Sequence, residues 1–168
     1  MLLIILRGPA GSGKSTVSKG LKNKIKIQKP IDSYLLNLDE IREIVFESYV
    51  KEALEYECVI GEMFFGDEHT TTPETWINRF KEKNYDIFSF ILKASKETCF
   101  ERCKNDKNNA RSSLNRTQSK IYEYHDQFYN HKEFTEFAKK AKIYEEIINA
   151  ESKPDQVVDT ILSKKYLY

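Results

Sequence analysis

The chain has 168 residues, with 27 basic and 26 acidic side chains and a formal net charge of +1. Hydrophobic residues make up 40% and charged residues 32%, and the mean hydropathy is -0.61. These values exclude a membrane-spanning or disordered chain and predict one domain over 1–168. A charge this balanced also excludes a generic binder of polyanions.

The run at 2–6 is continuously apolar, fit for a central strand of a parallel sheet and too short for a leader or a membrane span. Three of the six glycines follow at once, at 8, 11 and 13. Val17, Leu21 and Ile25 then recur every four residues and predict a helix from Lys14. Residues 34–38 read as a second strand, and Ile41, Ile44, Val45 and Tyr49 follow helical spacing. Cys58, Val59 and Ile60 form the core of a third strand. Thr72 and Pro73 start a helix that carries Trp76, Ile77 and Phe80, all assigned to packing. A fourth strand spans 87–92, and Ser95 caps a helix with Cys99, Phe100 and Cys103. Residues 104–115 are polar and read as a loop. A long helical stretch follows, with Ile121, His125 and Phe128, then Phe134, Phe137, Ala138 and Ala141. Residues 143–148 are the fifth strand, and Val157, Val158, Ile161 and Leu162 mark a closing helix. Strand and helix in alternation predict an α/β three-layer sandwich around a five-stranded, mostly parallel sheet.

The cysteines are Cys58, Cys99 and Cys103. An odd number argues against a disulfide framework and for a reducing, cytoplasmic setting. Cys99 and Cys103 lie four apart and read as small half-buried apolar residues.

Ligands of such folds bind at the carboxyl ends of the strands. After the first strand comes Gly8-Pro9-Ala10-Gly11-Ser12-Gly13-Lys14-Ser15, which fits G-x-x-x-x-G-K-[ST] at every fixed position. Glycines let successive backbone N–H groups turn around a phosphate, and the helix behind them points its positive end at the same anion. Lys14 reaches the outer phosphates, the Ser15 hydroxyl ligates Mg²⁺, and Ser12 and Thr16 are further candidates for phosphate contact. The expected ligand is a nucleoside triphosphate, ATP, with Mg²⁺. D-x-x-G with N-K-x-D would mark a GTPase and an L-S-G-G-Q-like signature an ABC-type ATPase; neither pattern occurs. A small kinase remains. Asp39 follows the second strand, where a carboxylate can accept the proton of an attacking hydroxyl. Arg42, one helical turn later, suits a phosphate or carboxylate on the acceptor.

The loop at 8–15 together with Asp39-Glu40-Ile41-Arg42 resembles the polynucleotide-kinase-like branch of the small P-loop kinases, predicted kinases among the AAA-type P-loop NTPases. The resemblance implies a P-loop kinase fold with Asp39 as general base and Arg42 on a substrate phosphate. It implies an acidic residue after the third strand, which Glu62 matches, to orient substrate or metal-bound water. It also implies that the segment 148–151, with Asn149, flanks the adenine. A short basic lid is expected at about 103–116, with Arg102 at its start and Arg111 inside it as charge stabilisers. Lys107 and Arg116 are alternatives to Arg111.

The family name points to a polynucleotide 5′-hydroxyl as acceptor. Residues 40–57, however, hold six acids (Glu40, Glu43, Glu47, Glu52, Glu55, Glu57) against two bases (Arg42, Lys51). A groove following a polyanion carries the opposite bias. The composition therefore favours a small hydroxylated acceptor: a nucleoside, nucleotide, sugar or antibiotic. The reading from another class is a nucleotide-binding regulatory protein with slow ATPase activity.

Overall fold

The apolar run behind Met1 forms β1 (Leu2–Arg7), and its burial on both sides fixes it at the centre of the sheet: Leu3, Ile4, Ile5 and Leu6 have no exposed surface. In the computed structural model, which describes residues 1–28, 31–37, 43–63, 73–105 and 117–164, the other strands are β2 (Ser33–Asn37), β3 (Cys58–Met63), β4 (Asp86–Lys93) and β5 (Tyr144–Asn149). The order is β2-β3-β1-β4-β5, and every pairing is parallel. Parallel strands need crossovers, which here are α1 (Lys14–Gln28), α2 (Glu43–Ala53), α3 (Pro73–Glu82), α4 (Lys96–Asn105), α5 (Gln118–Asn130) and α6 (Glu133–Lys140), with α7 (Pro154–Leu162) closing the element order.

The two-residue period of a strand divides the core into two layers. Ile4, Leu6, Cys58 and Ile60 face Val17 and Leu21 of α1, Cys99 of α4, Ile121 of α5 and Val158 of α7. Leu3, Ile5, Val59 and Met63 face Val50 of α2, Trp76 and Phe80 of α3, and Phe134 of α6. Each fully buried Leu or Ile contributes about 2 kcal/mol relative to exposure, so β1, filled on both faces, anchors the loop that leaves it. Trp76 meets Phe80 edge-on, and Phe80 meets Tyr85 in the same way, which bears out the packing role read for Trp76. No described helix is long and apolar enough to cross a membrane.

The α/β sandwich and its five strands appear as expected, and the sheet is all-parallel rather than mostly so. Strand limits shift by a residue, as in β4 and β5, and two helical limits change more. Helix α4 continues to Asn105, past the predicted loop start. The long helical stretch is two helices, broken at His131, whose extended backbone (φ -84°, ψ 115°) ends α5. The physical reason is the sheet: Ile121 of α5 packs in one layer and Phe134 of α6 in the other, so the chain must turn between them. Thr72, read as a helix cap, lies outside the described residues.

Arg7, the last residue of β1, is buried at 4% exposure and faces the α6 layer. It forms an ion pair with Glu145 of β5, donates to Thr135 Oγ1 (3.3 Å), and lies over the rings of Phe134 (4.1 Å) and Phe128 (5.6 Å). Ser89 Oγ donates to the same carboxylate at 3.0 Å. Burial pulls the guanidinium pKa down, and Glu145 pulls it back up. Removing one partner of such a pair leaves a buried charge uncompensated. Glu145→Ala is therefore expected to cost about 3 kcal/mol in urea unfolding, with the double replacement Arg7→Met/Glu145→Met recovering most of it. A Glu145→Ala midpoint equal to wild type would show that the pair carries no such role.

Candidate functional site

The sheet order sets the place. From β1 the chain runs to β2 and β3 on one side and later to β4 and β5 on the other, so the crevice beside β1 lies where the winding reverses. At its carboxyl edge, Leu6 is in register with Glu62, and Glu62 with Asn37 at the end of β2. The segment 8–13 leaves β1 here and turns straight into α1. Gly11 and Gly13 hold φ values of +80° and +99°, which L side chains rarely adopt. A Cβ on Gly11 would also lie 2.2 Å from the Cys99 carbonyl oxygen and 2.9 Å from Cys103 Sγ. Helix α4 is thus the floor of the loop, and its two small thiols permit the approach. Burial, reinforced by Cys103, pushes the Cys99 thiol up to about 12, so it stays neutral, in keeping with its apolar reading. All three cysteines are free and buried.

The loop closes around its own lysine. Lys14 Nζ donates to the carbonyls of Gly8 (2.8 Å) and Pro9 (3.4 Å) from a position only 8% exposed. Ser12 N–H donates back to the Pro9 carbonyl (3.1 Å). Ser12 Oγ is buried and has no hydrogen-bond partner among the described residues. It stands over Gly8, where an added Cβ would come within 2.4 Å of it. A buried hydroxyl without a partner is costly unless something fills its place. In α1, Thr16 and Val17 N–H groups both donate to the Gly13 carbonyl, at 3.1 and 2.9 Å. The helix N-terminus, the lysine and the orphaned hydroxyl together can take an anion.

Glu62 shares this end of the sheet. The alternation of β3 turns Cys58 and Ile60 to the α1 layer, and Glu62 follows the same parity. Its carboxylate is buried, and Ser15 Oγ donates to Oε2 at 2.6 Å while Ser18 Oγ donates to Oε1 at 2.5 Å. The sequence reading put Glu62 beside substrate or metal-bound water; the structure puts it against the predicted metal ligand Ser15. Ser18 was missed. Its signal was a polar residue one turn beyond Ser15 on a face otherwise lined by Val17 and Leu21.

Arg102 joins the site from α4. Its Nη1 donates to the Ser12 carbonyl (3.3 Å) and its Nη2 to the Ala150 carbonyl (2.7 Å). A Cβ on Gly13 would look onto Arg102 Nη1 at 3.8 Å. The guanidinium thus ties the glycine loop to the segment after β5. There Asn149 Oδ1 accepts from Glu151 N–H at 3.0 Å. Glu151 in turn accepts from Thr98 Oγ1 (2.6 Å) and from the Ser95 N–H, bonds that lower its pKa in that order. Ser95 Oγ accepts from the Thr98 N–H at 3.2 Å, the cap read from sequence.

The structure therefore gathers the 8–16 segment, Glu62, Arg102 and the 149–151 segment at one end of the sheet. Asp39, Arg42 and Arg111 lie outside the described residues, as do Lys107 and Arg116. Among the described residues no cluster of three or more His, Cys, Asp or Glu could hold a metal. A divalent ion here would find the Ser15 hydroxyl, water and ligand oxygens, hard donors of the kind Mg²⁺ takes. The donor set fits that ion: a carboxylate accepts only, so it engages the Ser15 O–H as acceptor and leaves the hydroxyl lone pairs for a cation. The sequence matches no family model and no curated protein.

Proposed function

We propose that the chain is an ATP- and Mg²⁺-dependent phosphotransferase that moves the γ-phosphoryl group to a hydroxyl of a small acceptor. The reading is carried by one observation: a left-handed glycine loop closed around Lys14 at the carboxyl edge of the central strand, with Ser15 held by a buried carboxylate. Ser12 Oγ and the α1 N-terminus cradle the phosphates, and Lys14 offsets their charge. Ser15 would hold the metal, whose charge would offset the negative charge that develops on the phosphates. Asp39 accepts the proton of the acceptor hydroxyl as its oxygen attacks phosphorus, and ADP leaves. Arg42 orients the acceptor. Arg102, with Arg111 or another lid cation, neutralises the transferring group and helps exclude water. Asn149 and Ala150 flank the base, a role supported by the Arg102 bond to the Ala150 carbonyl. The excess of acids over 40–57 favours a small acceptor over a polynucleotide 5′-end.

The test is ADP release from ATP and Mg²⁺ with and without a panel of nucleosides, nucleotides, sugars and 5′-hydroxyl oligonucleotides. Stimulation by a small hydroxyl compound is the expected result. Stimulation by the oligonucleotides alone would transfer the reading to a polynucleotide kinase. Slow release that ignores every acceptor would make the chain a nucleotide holder.

A further inference from the structure

Ser18 lies one turn beyond Ser15 on α1 and has no exposed surface. Its hydroxyl can reach two acceptors, Glu62 Oε1 at 2.5 Å and the Ser15 carbonyl at 3.2 Å. A hydroxyl has one hydrogen, and the shorter bond to a charged oxygen is the stronger. We infer that Ser18 is a positioning residue for the divalent cation: it pins the Glu62 carboxylate so that Oε2 accepts the Ser15 hydrogen bond and the Ser15 lone pairs stay available to metal. The inference rests on the kinase reading above and extends it to a residue outside G-x-x-x-x-G-K-[ST].

The chemistry leaves little freedom. The terminal torsion of a glutamate is broad and weakly restrained, so a carboxylate tied through Oε2 alone can rotate away. Ser18 supplies the second tie, from the same helix that carries Ser15. Both ties thus move with α1 and keep their spacing when the helix shifts. The bond to Glu62 is the shorter of the two, and the helix carbonyl of Ser15 is the weaker competitor for the same hydrogen. Its burial also removes water as a competing donor to Oε1.

The experiment titrates Mg²⁺ into wild type, Ser18→Ala, Ser18→Cys and Ser18→Thr in the presence of methylanthraniloyl-ATP, with a parallel series in EDTA and a thermal melt of each protein. For Ser18→Ala and Ser18→Cys, affinity in EDTA is expected to stay within about twofold of wild type. The Mg²⁺ concentration at half effect is expected to rise about tenfold, the size of one lost hydrogen bond to a charged group. Ser18→Thr keeps the hydroxyl and restores the wild-type Mg²⁺ dependence. An unchanged Mg²⁺ dependence in the first two variants, or an equal loss with and without metal, overturns the role of Ser18 and leaves the kinase reading standing. Wild-type affinity that ignores Mg²⁺ overturns the metal site and this role together. Ser18→Cys, which exchanges one atom for a weak donor, decides the question if Ser18→Ala fails to melt cooperatively.

Discussion

Lys14→Ala should lower phosphoryl transfer about 1,000-fold, the upper range for removing one preorganised donor from a site of developing charge. Two losses combine. The first is structural, because Lys14 Nζ binds the Gly8 and Pro9 carbonyls and so helps hold the loop's shape. The second is electrostatic. The ammonium is almost fully buried, and a charge there acts through a lower dielectric than one in water. Affinity for methylanthraniloyl-ATP should fall as well, because the same charge attracts the phosphates before transfer begins. Lys14→Arg should not restore the rate. A planar guanidinium is wider than an ammonium and cannot sit between two carbonyls of one tight loop as a point charge does. Single-turnover transfer to the best acceptor of the panel measures the effect, and urea unfolding shows whether the fold survives. Transfer within about tenfold of wild type would remove Lys14 from the transfer site.

The glycine loop could be read from sequence because its residues are chemically unusual as well as correctly spaced. Half of the chain's glycines in six positions have few uses, and two of them hold the left-handed backbone that such a cluster implies. Strand β1 was legible for the same kind of reason: five apolar residues in a row, stopped at once by glycines, suit a short strand covered on both faces. The break at His131 was not legible. Neither glycine nor proline marks it, and the cause is the position of the sheet relative to Ile121 and Phe134. Ser18 and Glu145 were hidden for a third reason. Serine in a helix and glutamate in a strand are ordinary, and their partners lie 44 and 138 residues away. A parallel sheet that winds away from its first strand and returns creates such pairs, and no local pattern marks them. The same distance hides the bonds that Glu62 takes from Ser15 and Ser18. Parity on β3 settles which layer it faces, and the layer holds α1.

Asp39→Asn isolates the chemical step. Asparagine keeps the size and polarity of aspartate and cannot accept a proton, so transfer should fall by at least about 100-fold, within the range that general bases contribute. Affinity for methylanthraniloyl-ATP should stay within about twofold of wild type, because the proposed role begins only when an acceptor hydroxyl is present. That contrast with Lys14→Ala, which weakens both holding and transfer, is what separates a kinase from a nucleotide holder. The pH profile adds a second discriminator with a fixed sign. The base works deprotonated, so wild-type transfer should fall on the acid side of the profile. The Asn variant should lack that acid limb. Transfer that survives Asp39→Asn, or a variant that keeps the limb, would assign the proton to another group. If ADP release were equally slow in both proteins and no acceptor changed it, Asp39 would have no hydroxyl to activate. The loop, Lys14 and the Ser15–Glu62 pair would then describe a protein that holds a nucleotide without passing on its phosphate.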